Sequence, residues 1–220
     1  SIKFDGAQTD RDNPKTQQLA QLAGIQPGDI VFLAGSTQEP EEKLALQVYG
    51  ELAAEYPALR FIVTPRHPER FEEVAALLDR SQVSWQRRSR LEEGGLDPQA
   101  RVLLVDAIGE LGAWWGTAQI AFVGGSMGTR GGQNMIEPAA YGAAVSFGPN
   151  TSNFRDVVAL LLERDAAVVV TSREELAGFV RRCLADPHFA AALGQRARQL
   201  VLEQAGAADK TCQLLQALMT

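Results

Sequence analysis

The sequence is poor in the residues that most often announce chemistry. Among 220 residues there are two cysteines and two histidines. Cys183 and Cys212 lie far apart in helical-looking stretches, without metal-ligand or redox spacing, so they read as reduced, buried thiols. His67 and His188 are too isolated to form a metal site. No apolar run approaches the ~20 residues of a membrane span. The polar start, Ser1 to Gln17, has no signal-peptide apolar core. The net charge of −6 gives nucleic-acid binding no electrostatic support. No Gly-Lys-Ser/Thr phosphate loop occurs, no G-x-G-x-x-G follows the first strand, and no G-x-S-x-G nucleophile elbow is present. No side chain stands out as an activated nucleophile or a tuned acid–base pair.

What is present is an ordinary globular composition, 45% hydrophobic and 22% charged, with chain enough for a sizeable core. The absence of an initiator methionine suggests a piece trimmed from a larger protein. Apolar runs alternate with helical patterns. Asp29–Ala34, Arg60–Thr64, Val83–Trp85, Arg101–Asp106, Ile120–Val123, Ala143–Phe147 and Ala166–Val170 read as strands. Continuous rather than alternating apolarity marks strands buried on both faces, as in a parallel sheet. Asn13-Pro14 opens a first helix. Further helices are predicted from Pro40 to about Glu55, over 69–80, around Trp114-Trp115, and near 153–164, 173–186, 187–204 and 206–218. Residues 91–98 read as loop and Ile2-Lys3-Phe4 as extended. Acidic Glu41 and Glu42 suit the first turn of their helix. Strand–helix alternation implies a single domain over 1–220, an α/β, Rossmann-like, doubly wound parallel sheet. Ligands of such sheets bind at the carboxyl ends of the strands.

The turns at those ends hold the candidate site. Gly124-Gly125-Ser126 and Gly131-Gly132 let a ligand approach bare backbone N–H groups, and a helix opening at Gln133-Asn134 adds donors for a phosphate. Glu137 suits the two hydroxyls of a ribose, or closes a capping box with Asn134. Arg66, stiffened by Pro65 and Pro68, suits bidentate recognition of phosphate or carboxylate. His67 reads as a loop residue. Ser36 and Thr37 serve a phosphate or cap a helix. Glu110 favours a helix start or faces a ligand. Asn153 with Asp156 reads as a helix cap. Trp114 and Trp115 read as core and partner surface.

Taken together, these pieces resemble the C-terminal domain of the 3-deoxy-D-manno-octulosonic acid (Kdo) transferases, which have the two-domain GT-B fold. The resemblance is carried by Ile2-Lys3-Phe4-Asp5, Ala34-Gly35-Ser36-Thr37 with Glu41-Glu42, and Pro65-Arg66-His67-Pro68-Glu69-Arg70-Phe71. It continues through Gly109-Glu110-Leu111, Ala121 to Ser126, Arg130 to Asn134, Glu137-Pro138-Ala139-Ala140, Gly148-Pro149 and Asn153-Phe154, in the family's order.

The resemblance implies a domain that binds the donor substrate CMP-Kdo, with no further cofactor and no metal. It implies CMP contacts from Pro65 and Arg66, from Ile108, Gly109 and Glu110, and from Asn134, Met135, Ile136 and Glu137. Ser36, Thr37, Gly124, Gly125, Ser126, Gly131 and Gly132 are further possible donor contacts. It implies inverting transfer to a lipid A precursor at the cytoplasmic face of the inner membrane. The catalytic carboxylate, the acceptor site and the membrane contact belong to an N-terminal domain outside this chain, so the chain alone is expected not to turn over. Gln133 and Asn150 stand where many members carry histidine. Two other readings make contrasting expectations. One is a different GT-B-type enzyme, a transferase with a UDP-sugar donor or an epimerase. The other is a non-catalytic module assembling through Trp114-Trp115.

Overall fold

A computed structural model describes residue 4 and residues 6–219, with side chains through residue 205. Seven strands form one parallel sheet: β1 (Ile30–Thr37), β2 (Leu59–Pro65), β3 (Trp85–Arg87), β4 (Val102–Leu104), β5 (Ile120–Val123), β6 (Ala144–Phe147) and β7 (Ala167–Val169). Their spatial order is β3-β4-β2-β1-β5-β6-β7, and each neighbouring pair runs parallel. Among the described residues nine α-helices accompany the seven strands: α1 (Pro14–Leu22), α2 (Glu41–Leu52), α3 (Phe71–Asp79), α4 (Leu91–Gly94), α5 (Leu111–Trp114), α6 (Ile136–Ala140), α7 (Arg155–Glu163), α8 (Arg173–Ala185) and α9 (Pro187–Met219).

The central strands are buried on both faces, as their unbroken apolarity requires. Side chains alternate across the sheet, and two cores result. Leu33, Ile62, Ala121 and Val145 point to a core shared with α1, α5, α6, α7 and α9. Phe32, Phe61, Val63 and Phe122 point to the other, filled by α2, α3 and α8. Asn13 caps α1 as its sequence position suggests: its Oδ1 accepts from the Thr16 N–H at 3.0 Å.

Several elements differ from the sequence reading. The third strand begins at Trp85, not Val83, because Gln82 turns the chain at φ +60° and Trp85 is the first residue to pair with β4. Leu91–Gly94 makes a helical turn, held by a buried Leu91. Helix α9 runs unbroken through Gly206, whose helical cost of about 1 kcal/mol does not end it. Trp114 and Trp115 are fully buried, so they offer no partner surface. Trp115 packs so closely on β1 that a Cβ on Gly35 would fall 2.4 Å from its ring. Of the predicted extended start, Phe4 lies in a helical turn and is buried, while Ile2 and Lys3 fall outside the described residues.

Cys183 is buried under α8, and burial pushes its thiol pKa up to about 12. It is therefore the neutral thiol at physiological pH, and the thiolate is the reactive form. Mass-mapped alkylation at pH 7.5 is expected to leave Cys183 unmodified in the native protein and to label it in urea. The side chain of Cys212 lies outside the described residues.

Candidate functional site

The chain leaves β1 toward β2 on one side, and β5 continues toward β6 on the other. The carboxyl ends of β1 and β5 are therefore the topological switch point, where ligands of such sheets bind. In this protein the notch is filled from within. The Glu41 carboxylate, 1% exposed at the start of α2, accepts the backbone N–H groups of Gly125 at 2.7 Å, Ser126 at 2.9 Å and Met127 at 2.9 Å. It also accepts from Gln38 N at 2.9 Å. The Gly124 N–H goes to the Gly35 carbonyl at 2.9 Å. A Cβ on Gly124 would lie 2.6 Å from Thr37 Cα and 2.7 Å from Glu41 Oε2, so only glycine fits. Ser126 Oγ donates to the Val123 carbonyl and accepts from Gly148 N, both at 2.7 Å.

The turn at 124–127 is thus an anion cradle whose anion is Glu41. This corrects the expectation of bare N–H groups there. The sequence signal for this contact is a carboxylate four residues after the end of β1, at the first position of α2, facing a glycine turn across the switch point; the helix dipole alone does not explain it.

The second glycine pair is also held internally. Gly131 and Gly132 have φ of +90° and +81°. Gly132 N donates to the Gly125 carbonyl at 2.7 Å. Asn153 donates its Nδ2 to the carbonyls of Arg130 at 2.8 Å and Gly132 at 3.4 Å, and its backbone N to the Gly131 carbonyl at 2.9 Å. Asn153 therefore clamps the loop rather than capping α7, which begins after Phe154 without a side-chain cap. Ser36 and Thr37 end a strand and cap no helix. Ser36 sits at φ +55°, while Thr37 is fully buried with its hydroxyl 3.4 Å from the Thr64 carbonyl. Asn150 Nδ2 reaches the Met127 carbonyl at 3.2 Å.

The open part of the site lies beside this cradle. Asn134 Oδ1 accepts from Ile136 N at 3.0 Å, and its Nδ2 donates to Glu137 Oε1 at 2.9 Å. Helix α6 starts at Ile136, so Asn134 lies two residues before it, and the capping box does not form. Pro138 is the third helical residue, where a missing N–H leaves no intrahelical bond unmade. This register leaves Glu137 Oε2 toward Gly112, 4.0 Å from where a Cβ would sit. Glu137 lines a cleft of about 390 Å³ with Asn13, Gly112, Ala113, Asn134 and Tyr141. Burial raises its pKa, against the opposing pull of the Asn134 amide and the positive charge of Arg66.

Arg66 is exposed at the end of β2, its backbone N–H given to the Thr37 carbonyl at 3.0 Å. Pro65 is buried as the last residue of β2. From the β4 side comes a loop in which Ile108 is 79% exposed and Gly109 has φ +84°. Glu110 at its end is bound by Arg88. Met135 and Ile136 are buried and anchor α6. The three segments singled out in the sequence, 65–66, 108–110 and 134–137, thus follow the carboxyl ends of β2, β4 and β5, on one side of the sheet, with Arg66 near enough to Glu137 for its charge to act on the carboxylate. The bracing roles of Glu41, Arg88 and Asn153 were missed. Among the described residues no group of three or more His, Cys, Asp or Glu side chains is placed to hold a metal ion.

No family model matches the chain. The 3-deoxy-D-manno-octulosonic acid transferase of Haemophilus influenzae is 35% identical over 186 residues, covering 84% of this chain and 43% of that protein. The enzyme of the same name from Bordetella pertussis is 34% identical over 221 residues, covering 98% and 50%. The crystal structure of the C-terminal CMP-Kdo binding domain of WaaA from Acinetobacter baumannii superposes with a TM-score of 0.77 at 29% identity, covering 85% of this chain and 96% of that domain. Over most of its length the chain is a homologue of the 3-deoxy-D-manno-octulosonic acid transferases. It spans about half the length of the curated relatives it matches. Its parallel, helix-flanked sheet is the Rossmann-like fold of GT-B C-terminal domains.

Proposed function

We propose that this chain is the donor-binding half of a Kdo transferase and holds CMP-Kdo in the cleft between Arg66, the 108–110 loop and Glu137. The observation that carries the reading is an exposed guanidinium at the carboxyl end of the sheet whose positive charge acts on a half-buried carboxylate. Arg66 presents a planar fork suited to the CMP phosphate and to the charge that grows on it as the sugar departs. Glu137 accepts hydrogen bonds from the ribose hydroxyls. Gly109, lacking a Cβ, lets the nucleotide approach the backbone. In the intact enzyme a carboxylate of the preceding domain takes the proton of a lipid A precursor hydroxyl, whose oxygen attacks the anomeric carbon with inversion as the bond from that carbon to the CMP phosphate oxygen breaks and CMP leaves. No helix among the described residues is long and apolar enough to cross a membrane. Attachment to the cytoplasmic face of the inner membrane falls to the acceptor domain.

With one half of the cleft, affinity for CMP is expected to be on the order of 1 mM, about −4 kcal/mol. Calorimetric titration of CMP against UDP tests the reading. CMP should bind more tightly, and tighter UDP binding would redirect the assignment to a uridine diphosphate donor.

Glu137 also makes a pH prediction. Its native pKa is raised above the ordinary 4.5. The unfolded chain then binds fewer protons than the native state between those two values, and stability falls as pH rises through that window. The contribution is fully present below the unfolded pKa and lost above the native one. Glu137→Gln should therefore match the wild type in urea unfolding at pH 4, exceed its stability at pH 7, and bind CMP more weakly. A variant less stable than wild type at pH 7 would show that the ionised carboxylate supports the fold instead.

A further inference from the structure

The loop after β4 is staked at both ends to the turn that follows β3. At one end the Asp106 carboxylate accepts from Ser89 N at 2.9 Å and Ser89 Oγ at 2.7 Å. At the other, Arg88 forks onto Glu110, Nε to Oε2 and Nη2 to Oε1, both at 2.8 Å. The Arg88 and Glu110 side chains are 11% and 13% exposed. Trp114 Nε1 adds a donor to Glu110 at 3.3 Å, and Lys15 Nζ stands 3.5 Å away. The Glu110 carbonyl accepts from Ala113 N and Trp114 N and so starts α5. Between the two stakes, Ile108 and left-handed Gly109 project into solvent.

We infer that Arg88 is a positioning residue for the nucleotide cleft: it takes up the Glu110 carboxylate, so that the 108–110 loop meets its ligand with Ile108 and the backbone at Gly109. The inference rests on the donor-binding reading and deepens it. Two features separate this pair from an ordinary surface ion pair. The fork is bidentate and largely desolvated, so it fixes direction as well as distance. And the Glu110 carboxylate also holds the indole of a fully buried tryptophan, which ties the loop end to the core. A carboxylate so engaged has little capacity left for a ribose, which leaves that task to Glu137.

The test uses Arg88→Met, Glu110→Gln, the double variant and Arg88→Lys in the 220-residue chain. The double variant leaves no buried unpaired charge and keeps the experiment open if a single variant fails to fold. Two readouts are taken, the CMP affinity and the amide resonances of Ile108 and Gly109 without ligand. Each single variant is expected to weaken CMP binding by about 10-fold, and the double variant no further, because the three remove one pair. Arg88→Lys, which retains one hydrogen bond, should recover part of the loss. The Ile108 and Gly109 resonances should shift and broaden in every variant except Arg88→Lys. Unchanged resonances in the double variant would overturn the positioning role. So would a large loss with Glu110→Gln beside none with Arg88→Met, which would put the carboxylate on the ligand. A wild-type chain that fails to bind CMP would instead sink the donor-binding reading, and the resonances would still decide what Arg88 does.

Discussion

Replacing Glu41 by alanine is expected to lower the unfolding free energy by about 3–5 kcal/mol. The carboxylate lies at the sheet's switch point and accepts four backbone N–H groups, those of Gln38, Gly125, Ser126 and Met127. Alanine removes every acceptor at once. An orphaned buried donor costs about 1–3 kcal/mol, and the space left behind is polar enough to admit water, which limits the sum. Against a typical stability of about 5–15 kcal/mol this is a large fraction. Glu41→Gln should fall between, at about 2 kcal/mol, because one oxygen remains for two donors while an amide NH2 faces the other two. Urea unfolding of the three proteins measures the series. A loss below about 1 kcal/mol for Glu41→Ala would mean that the glycine turn holds its shape without the internal anion.

The second large effect concerns the ligand rather than the fold. Arg66→Ala is expected to weaken CMP binding by about 10- to 100-fold, the factor for losing charge-assisted hydrogen bonds worth about 1.5–3 kcal/mol. Stability should change by less than about 0.5 kcal/mol, since the side chain is exposed. Arg66→Lys should recover part of the affinity, as a point charge replaces a fork. Loss of the guanidinium also removes a positive charge that holds Glu137 down, so the Glu137 pKa should rise further in Arg66→Ala. A carboxyl-carbon NMR titration reads that rise directly. Binding unchanged by Arg66→Ala would place the phosphate elsewhere.

The contrast between these two residues shows how far the sequence could be read. Arg66 and Glu137 sit at strand and helix ends that periodicity alone locates, and the sheet itself follows from runs such as Val31–Ala34. The prolines around Arg66 and the position of Pro138 in α6 are local rules visible in the chain. Glu41 was equally visible as a residue but not as a contact. Three of its four partners lie more than 80 residues away, joined only by the adjacency of β1 and β5. Arg88 and Glu110 are separated by 22 residues that include β4, and Asn153 reaches back to Arg130 and Gly132. Local spacing rules assigned Asn153 to a cap and Glu41 to a helix dipole because they have no access to such crossings. The two tryptophans are core, as read, but the partner surface also read for them is absent for a related reason: neither adjacent residue reveals that Gly35 opens a slot beneath the Trp115 ring.

The most direct measurement is a titration of CMP into the isotopically labelled 220-residue chain, followed amide by amide. The expected result is saturable shifts centred on Arg66, Ile108, Gly109 and Asn134 to Glu137. Gly125, Ser126 and Met127 should move little, because their N–H groups are already given to Glu41. Saturable shifts centred on those three amides instead, or none saturable up to several times the expected affinity of about 1 mM, would contradict a nucleotide cleft braced by an internal carboxylate.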